Sequence, residues 1–264
     1  MAFFQGILLG TIQGLTEFLP VSSSGHLVIA GKLLGLNQDS LTTNALLHLG
    51  TLIAVIIYFR HELSRILSSV WQWVRWNKKD SHSALAGYLL AATVPAAAGG
   101  ALFEKFFSDA FDSTFIVGIM LLTTGAVLWT VESKELGVRN LDSMKLSDSV
   151  WVGLAQLAAI MPGLSRSGVT IAAGIWCGLE REEAARFSFL LSIPIIIGAS
   201  VVSISRGQPL VDVTSIIAGM IAAGLSGFLA IAVLMKVVQE KRLRLFAVYC
   251  FIVGSIAIIL TLKQ

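Results

Sequence analysis

The sequence predicts an all-α polytopic membrane protein with six spanning helices and two re-entrant helical hairpins, arranged as two inverted-topology repeats. Three observations lead to this fold class: a scarcity of charge, six long apolar runs, and two apolar regions broken by related polar motifs. Hydrophobic side chains make up 55% of the 264 residues and charged ones only 13%, whereas an ordinary soluble domain carries about 25%. A soluble enzyme, a nucleic-acid-binding module and a disordered chain are therefore excluded.

Six apolar runs are long enough to cross a bilayer, which takes roughly 20 helical residues. They are residues 41–59, 84–102, 114–133, 187–205, 213–235 and 245–262. Cys177 and Cys250 lie in apolar segments, where buried structural thiols are expected rather than a disulfide framework. Residues 1–5 contain no basic region, and no small-residue cleavage site lies nearby, so no removable signal peptide is predicted.

Two further regions, residues 6–36 and 150–179, are apolar but hold Pro, Gly and Ser in their middles. A straight helix through either middle is disfavoured, because backbone groups freed by Pro and Gly are costly to leave unpaired in lipid. Such a break is tolerated where it lines a cavity within the protein. Each region is therefore predicted to be a hairpin that enters the membrane, turns at its polar loop and leaves on the same face.

The two broken regions resemble each other. When residues 10–36 are compared with residues 153–179, nine of the 27 positions are identical. The identical pairs are Gly10/Gly153, Gln13/Gln156, Ser22/Ser165, Ser24/Ser167, Gly25/Gly168, Ala30/Ala173, Gly31/Gly174, Gly35/Gly178 and Leu36/Leu179. The chain is thus predicted to be a single transmembrane domain, 1–264, with one repeat over about 1–133 and another over about 150–264. Because three spans follow each hairpin, the second repeat enters the membrane from the opposite face.

The distribution of basic residues predicts the orientation. With both hairpins re-entrant, the loops 60–83, 134–149, 180–186 and 236–244 fall on one face and hold 14 of the 19 Lys and Arg residues. By the positive-inside rule this face is cytoplasmic, so both termini lie outside the plasma (inner) membrane. The tryptophan-rich basic loop over residues 71–79 is interpreted as an anchor at the inner-leaflet surface.

Glu17 and Arg166 are the carboxylate and the guanidinium that this assignment leaves inside the membrane, one in each hairpin. Ionisable groups are expensive there and commonly mark a functional site. Gln13 lies four residues before Glu17 and so shares its helix face. His48, within an apolar run, is interpreted mainly as a helix-packing residue.

Both polar loops have the composition of a phosphate site. Hydroxyls and backbone N–H groups at a helix N-terminus can converge on an anion, and an arginine fork suits phosphate oxygens. A histidine can carry a proton near neutral pH. The predicted phosphate-binding residues are Ser22, Ser24, Gly25, Gly163, Ser165, Arg166, Ser167, Gly168 and Thr170, and the predicted catalytic residues are Ser23, His26, Glu17 and Arg166. No P-loop, Rossmann glycine pattern or HExxH motif occurs.

At these residues the chain resembles the undecaprenyl-diphosphate phosphatase family, also called the bacitracin-resistance protein family. The resemblance runs essentially end to end and is carried by three stretches, Gln13–Leu27, Pro162–Thr170 and Phe187–Pro194. It implies an integral membrane hydrolase that removes the terminal phosphate of a C55 polyprenyl diphosphate and so regenerates the lipid carrier for cell-wall synthesis. It also implies bacitracin resistance, because bacitracin sequesters the same diphosphate substrate.

The resemblance further implies a divalent cation, Mg²⁺ or Ca²⁺. The acidic motif of the family has Glu or Gln, three residues and then Glu; this chain has Gln13 and Glu17, so Glu17 would bear more of the metal-binding role. The lipid is expected to reach the hairpins from the outer face. Ser23 is favoured as nucleophile with His26 as proton carrier, although attack by His26 or by water stays open.

Two other functions are compatible with the same residues. The inverted repeats also suit a lipid or ion transporter or flippase, and a structural membrane scaffold is a third reading. The expected partners are the polyprenyl diphosphate and the bilayer, with bacitracin competing for the substrate and no nucleic acid; a homodimer stays open.

Overall fold

The computed structural model describes residues 3–34, 41–111, 113–133, 137–206 and 212–262. Within these residues the chain forms twelve α-helices, one short 3₁₀ helix and a single isolated β-bridge. The α-helices are α1 (Phe3–Phe18), α2 (Ser23–Leu34), α3 (Leu41–Tyr58), α4 (Arg60–Trp76), α5 (Ser81–Leu102), α6 (Glu104–Phe111), α7 (Thr114–Glu132), α8 (Leu146–Ala158), α9 (Arg166–Trp176), α10 (Arg181–Ser205), α11 (Val213–Gln239) and α12 (Arg244–Leu262). The all-helical prediction is confirmed.

The apolar helices confirm a multi-pass membrane protein. Five of them, α5, α7, α10, α11 and α12, are each long and apolar enough to cross a bilayer. The remaining predicted span corresponds to α3, which meets α4 at a bend of 80°. If this bent pair is taken as one span, the number of spans is six. Each predicted apolar run thus lies on a helix, with bounds that differ by a few residues.

The predicted tryptophan-rich loop is a helix for most of its length, so that prediction was wrong. Helix α4 continues to Trp76, and Asn77 ends it with a left-handed backbone (φ 54°). Residues 60–76 contain no Pro or Gly, and their apolar side chains recur at a helical spacing that buries Ile66 while Leu67 stays exposed. The charged composition suggested a loop, but charge on one face is what an amphipathic surface helix requires.

Asp80 joins α4 to α5. Its carboxylate accepts from the backbone N–H of Ser83 at 2.8 Å and from the Ser69 hydroxyl on α4 at 2.8 Å. These hydrogen bonds hold the pKa of Asp80 below its ordinary value, and the bond from the Ser83 backbone has the largest effect. The charged cap therefore fixes the start of α5 and its angle to α4.

Small residues let α1 and α8 approach their neighbours closely. On α1, a Cβ added at Gly10 would lie 2.0 Å from the carbonyl oxygen of Gly219 on α11. On α8, a Cβ at Gly153 would lie 2.7 Å from the carbonyl oxygen of Ala92 on α5. Close backbone contact at small residues is a common way in which helices associate in lipid. Here it packs α1 against α11 and α8 against α5.

The main core lies beneath the two breaks. Phe18, the last residue of α1, is fully buried and packs edge-on against Phe189 of α10, with ring centroids 5.6 Å apart. Ile171 of α9 is also fully buried in this core. The end of α1 and the start of α9 are thus anchored in one apolar cluster. The two cysteines are free thiols, Cys250 buried as expected and Cys177 only partly so.

Candidate active site

The first polar loop is a tight turn between α1 and α2. The Val21 N–H donates to the Leu19 carbonyl at 2.7 Å, and Ser22 follows with a left-handed backbone (φ 69°). The Ser22 hydroxyl then accepts from the Gly25 N–H at 3.3 Å, as an N-terminal cap does. A left-handed non-glycine residue is sparsely populated and persists where surrounding contacts enforce it, often at a functional site.

The second polar loop repeats the cap between α8 and α9. The Ser165 hydroxyl accepts from the Gly168 N–H at 3.1 Å. Gly163 supplies the positive φ of this turn (93°), and a Cβ there would lie 2.3 Å from the Val117 carbonyl oxygen. Thr124 of α7 fixes the loop, because its hydroxyl accepts from the Ser165 N–H at 3.0 Å.

The two loops contact each other directly. The Ser24 hydroxyl accepts from the Gly163 N–H at 3.5 Å, and the Ser167 hydroxyl donates to the Leu19 carbonyl at 3.3 Å. A Cβ on Gly25 would lie 3.2 Å from the Gly163 Cα, which is tighter than ordinary contact. The predicted loop residues are therefore brought together, with glycine needed where the two backbones meet.

Glu17, Ser23 and Arg166 form the polar centre of this junction. Glu17 Oε1 accepts from the Arg166 Nη2 at 2.6 Å, which joins the end of α1 to the start of α9. Glu17 Oε2 accepts from the Ser23 hydroxyl at 2.7 Å. The side chains of Glu17 and Arg166 are only 6% and 14% exposed. A carboxylate, a hydroxyl that donates to it and a guanidinium thus lie together in a partly buried place, and these are groups that can take part in nucleophilic phosphate chemistry.

Gln13 and His48 complete the surroundings of Glu17. Gln13 Nε2 lies 2.9 Å from Glu17 Oε2 and 2.9 Å from His48 Nδ1. His48 Nδ1 lies 3.4 Å from the same carboxylate oxygen. His48 is therefore part of the site, which corrects its interpretation as a packing residue. Its polarity within an apolar run was the available signal, but the sequence alone could not tell that α3 passes beside α1.

His26 is placed by two contacts of its own. Its Nδ1 lies 2.8 Å from the Ser22 carbonyl oxygen, and its Nε2 lies 2.7 Å from the hydroxyl of Tyr249 on α12. The Ser23 hydroxyl donates to Glu17 rather than to His26. Tyr249 was not among the predicted residues, because nothing in its local sequence separates it from a tyrosine at a membrane interface.

Thr170 and Ser188 hold Arg166 in place through hydrogen bonds. The Thr170 hydroxyl lies 2.7 Å from the Arg166 carbonyl oxygen and 2.6 Å from the Ser188 hydroxyl. The carbonyl of Ser188 in turn accepts from Arg166 Nη1 at 3.3 Å. Thr170 is 1% exposed, so its hydroxyl holds the start of α9 and the arginine in position. Ser188 belongs to a stretch that carried the family resemblance, which was the signal for it.

The residues present fit a divalent cation that takes most of its ligands from substrate and water. Among the described residues, no group of three His, Cys, Asp or Glu side chains could form a protein-only metal cage. However, Gln13 Oε1 is buried without a hydrogen-bond partner, next to the Glu17 carboxylate. A carboxylate and an amide oxygen are ligands that Mg²⁺ accepts, and Mg²⁺ commonly adds substrate phosphates to one or two carboxylates.

The comparisons with known proteins agree over almost the whole chain. The family described as "Bacitracin resistance protein BacA" matches residues 6–256. A protein named undecaprenyl-diphosphatase from Halothermothrix orenii is 44% identical, with 98% of each chain covered. Proteins of the same name from Methanobrevibacter smithii and Desulfosudis oleivorans are each 41% identical, over 97% and 96% of this chain and 96% and 97% of theirs. Since the family match covers nearly the whole chain, including both polar loops, the chain belongs to the bacitracin resistance protein BacA family.

Proposed function

We propose that the chain is an undecaprenyl-diphosphatase, an integral membrane phosphatase that converts a C55 polyprenyl diphosphate into the monophosphate and inorganic phosphate. Family membership and the names of its relatives support this activity. The observation that carries it is the partly buried trio in which the Glu17 carboxylate accepts hydrogen bonds from both Ser23 and Arg166. The reaction recycles the lipid carrier for cell-wall synthesis. It confers bacitracin resistance, because it removes the diphosphate for which bacitracin competes.

In the first step the Ser23 oxygen attacks the terminal phosphorus of the substrate. The hydroxyl proton passes to Glu17 Oε2, which already accepts it at 2.7 Å. The bond between the terminal phosphorus and the bridging oxygen breaks, and the polyprenyl monophosphate leaves with that oxygen. Arg166, released from its bond to Glu17 Oε1, stabilises the charge on the equatorial oxygens of the transition state.

In the second step a water molecule hydrolyses the phosphoserine and releases inorganic phosphate. The His26 imidazole lies at the same turn, and an imidazole can take up and release a proton; we propose it as the carrier of the proton that the water gives up. The N-termini of α2 and α9 and the hydroxyl of Ser24 favour an anion at the junction of the two loops.

We also propose that the site binds a divalent cation, Mg²⁺ or Ca²⁺. When bound, it would neutralise charge on the diphosphate. Glu17 and the unpartnered Gln13 Oε1 are the groups that would hold it. Chelation with EDTA is expected to abolish phosphate release, and excess Mg²⁺ or Ca²⁺ to restore it.

The activity is tested by measuring phosphate release from a polyprenyl diphosphate with the purified protein in detergent. Arg166→Ala should lower the rate by about 10³-fold, as loss of a charge-stabilising arginine does. Arg206→Ala is the matched control, because Arg206 is exposed and pairs with Glu104 away from the hairpins. No release by the unmodified protein, together with lipid or ion transport in liposomes, would instead favour a transporter.

The nucleophile is tested separately. Brief reaction with substrate labelled in its terminal phosphate, followed by acid quenching, should leave label on Ser23, and mass spectrometry would map it. Label on His26 would identify that residue as the nucleophile, and a fully active Ser23→Ala variant without any covalent label would point to direct attack by water.

We also propose that the chain consists of two inverted repeats, each with a re-entrant hairpin. The support for this architecture is that α1 packs on α11 as α8 packs on α5, which are the equivalent helices of the opposite repeats. Arg139 further donates to the Cys177 carbonyl after α9 and to Asp148 near the start of α8, at 2.8 and 2.7 Å. Both ends of the second hairpin therefore meet one loop, as a re-entrant segment requires.

The orientation is proposed to put the basic loops in the cytoplasm and both termini outside, with the site opening outward in the plasma membrane. Contacts among the basic loops support the proposal that they share one face. Arg186 forms an ion pair with Glu62, and the side-chain amide of Gln239 donates a hydrogen bond to the Glu182 carboxylate. On the opposite face Arg206 pairs with Glu104. Labelling of single cysteines introduced at Lys78 and Lys105 by a membrane-impermeant reagent in intact cells should modify only the latter. A homodimer is tested by the mass of the detergent-purified protein.

A further inference from the structure

Tyr249 of α12 lies directly against His26 of α2. The two rings are stacked, with centroids 5.6 Å apart and an angle of 8° between their planes. The tyrosine hydroxyl lies 2.7 Å from His26 Nε2. A stacked ring pair and a short hydrogen bond between residues 223 positions apart restrain the histidine in both tilt and rotation.

The other side of the histidine decides which way this hydrogen bond runs. A carbonyl oxygen only accepts, so Nδ1, 2.8 Å from the Ser22 carbonyl, must carry a hydrogen. In the neutral ring Nε2 is then the acceptor, and the Tyr249 hydroxyl donates to it. If Nε2 gains a proton, the same hydroxyl can turn and accept. Tyr249 therefore satisfies His26 in both protonation states without moving either ring.

The contact extends to the strained turn that precedes the nucleophile. His26 donates through both its backbone N–H (3.2 Å) and Nδ1 to the carbonyl of Ser22, the residue with the left-handed backbone. Next to Tyr249 on α12, the Cys250 thiol donates to the Pro20 carbonyl at 3.6 Å. Helix α12 thus reaches this turn in two ways, directly through Cys250 and indirectly through Tyr249 and His26. Cys250 also packs with Val21 of the turn in a buried cluster.

We propose that Tyr249 is a positioning residue of the active site, which holds the His26 ring and, through it, the turn that presents Ser23. The proposal rests on the function proposed above, in which His26 carries a proton. Simple packing does not account for the pair, because a phenyl ring would stack equally well and leave Nε2 without a partner. Tyr249 is 42% exposed, so its hydroxyl is not needed to satisfy a buried tyrosine.

The test replaces Tyr249 by Phe, which keeps the ring and removes only the hydroxyl. We expect kcat to fall about tenfold, the size expected for one lost hydrogen bond, and KM to stay within about twofold. Tyr58→Phe is the matched control, because Tyr58 packs against Phe59 and Phe228 and should keep full activity. Tyr249→Leu removes the stacking as well and should lower kcat further.

A spectroscopic measurement separates positioning from general stability. In protein labelled with ¹⁵N-histidine, the His26 signals are assigned by their loss in His26→Asn. Tyr249→Phe should move the Nε2 signal towards that of an imidazole nitrogen without a hydrogen bond, and Tyr58→Phe should not. Either an unchanged kcat or an unchanged Nε2 signal in Tyr249→Phe would overturn the proposal.

The same set of variants distinguishes failure of this inference from failure of the proposed function. If His26→Asn is inactive while Tyr249→Phe is fully active, Tyr249 does not position the histidine, and the role of His26 stands. If His26→Asn keeps full activity, the proposed role of His26 is wrong, and the positioning role of Tyr249 is overturned with it.

Discussion

The two helix–turn–helix hairpins, α1–α2 and α8–α9, share the same turn but carry different polar side chains. Both turn at a Ser-x-Ser-Gly motif whose first serine accepts from the N–H of the glycine, and in both the two serine hydroxyls lie 3.2 Å apart. At the positions between and around these residues the hairpins differ. The first hairpin has Glu17, Ser23 and His26, where the second has Ile160, Arg166 and Val169.

This difference separates the scaffold from the chemistry. The residues that match between the repeats form the caps and the close backbone contacts. The residues that differ form the Glu17–Ser23–Arg166 centre. The similar turns thus bring the two segments together, and the few side chains that differ place a hydroxyl from one segment and a guanidinium from the other beside the Glu17 carboxylate.

The largest effect is expected from Ser23→Ala, which tests whether the positions that differ between the two hairpins carry the chemistry. We expect kcat to fall by about 10³-fold or more, because the proposed nucleophile is lost, while the thermal unfolding temperature in detergent changes little. Ser68→Ala, on the exposed face of α4, is the control. An active Ser23→Ala variant would contradict the assignment of chemistry to the positions that differ.

Gly10→Ala and Gly153→Ala test the shared helix contacts. Both should destabilise the protein by overpacking, by about 1–3 kcal/mol. Gly10→Ala should cost more, because its Cβ would lie 2.0 Å from a backbone oxygen rather than 2.7 Å. Unfolding in detergent measures both, and Gly87→Ala is the control, since a Cβ there meets nothing within 4 Å. Equal tolerance of all three substitutions would show that the close approach is not required.

Gln13→Ala and Gln156→Ala compare a matched pair of which only one member lies at the proposed cation site. Gln13→Ala should raise the Mg²⁺ concentration needed for half-maximal activity about tenfold, the lower end of what the loss of a supporting ligand costs. Gln156→Ala should leave that concentration unchanged, because Ile160 stands where the other segment has Glu17, so no carboxylate accompanies the buried Gln156 Oε1. The same shift in both variants would mean that Gln13 acts only on folding.

The serine caps give the smallest expected effect. Ser165→Ala should lower the free energy of unfolding by about 1 kcal/mol, as the loss of an N-cap does. Ser22→Gly should cost clearly less, because glycine accepts the left-handed φ of 69° and offsets part of the lost cap. Ser165→Gly has no such compensation at φ −73°. A larger loss in Ser22→Gly than in Ser165→Gly would contradict this account of the turn.

Much of the site could be predicted from the sequence because its signals are local. Charge is so scarce in the apolar segments that Glu17 and Arg166 stand out, one in each of the two similar broken regions. By the same reasoning the sequence predicts that all the matching serines bind phosphate. The structure gives Ser22 and Ser165 a capping role, which spacing alone could not distinguish from ligand binding.

His48, Tyr249 and Ser188 needed the tertiary structure. Each lies in a regular apolar helix far along the chain from the residue it contacts, and its own surroundings in the sequence resemble those of any membrane helix. Their roles depend on which faces of α3, α12 and α10 turn towards the hairpins, and helix rotation is set by packing against several neighbours at once.

The sequence by itself determined the environment, the segments and the place of the break in each hairpin, because hydrophobic length, charge and Pro or Gly content act locally and directly on the backbone. Only the tertiary structure decided which polar groups meet. The pairing of Glu17 with Arg166 joins residues 149 positions apart, and such a contact depends on how the two hairpins pack against the helices between them.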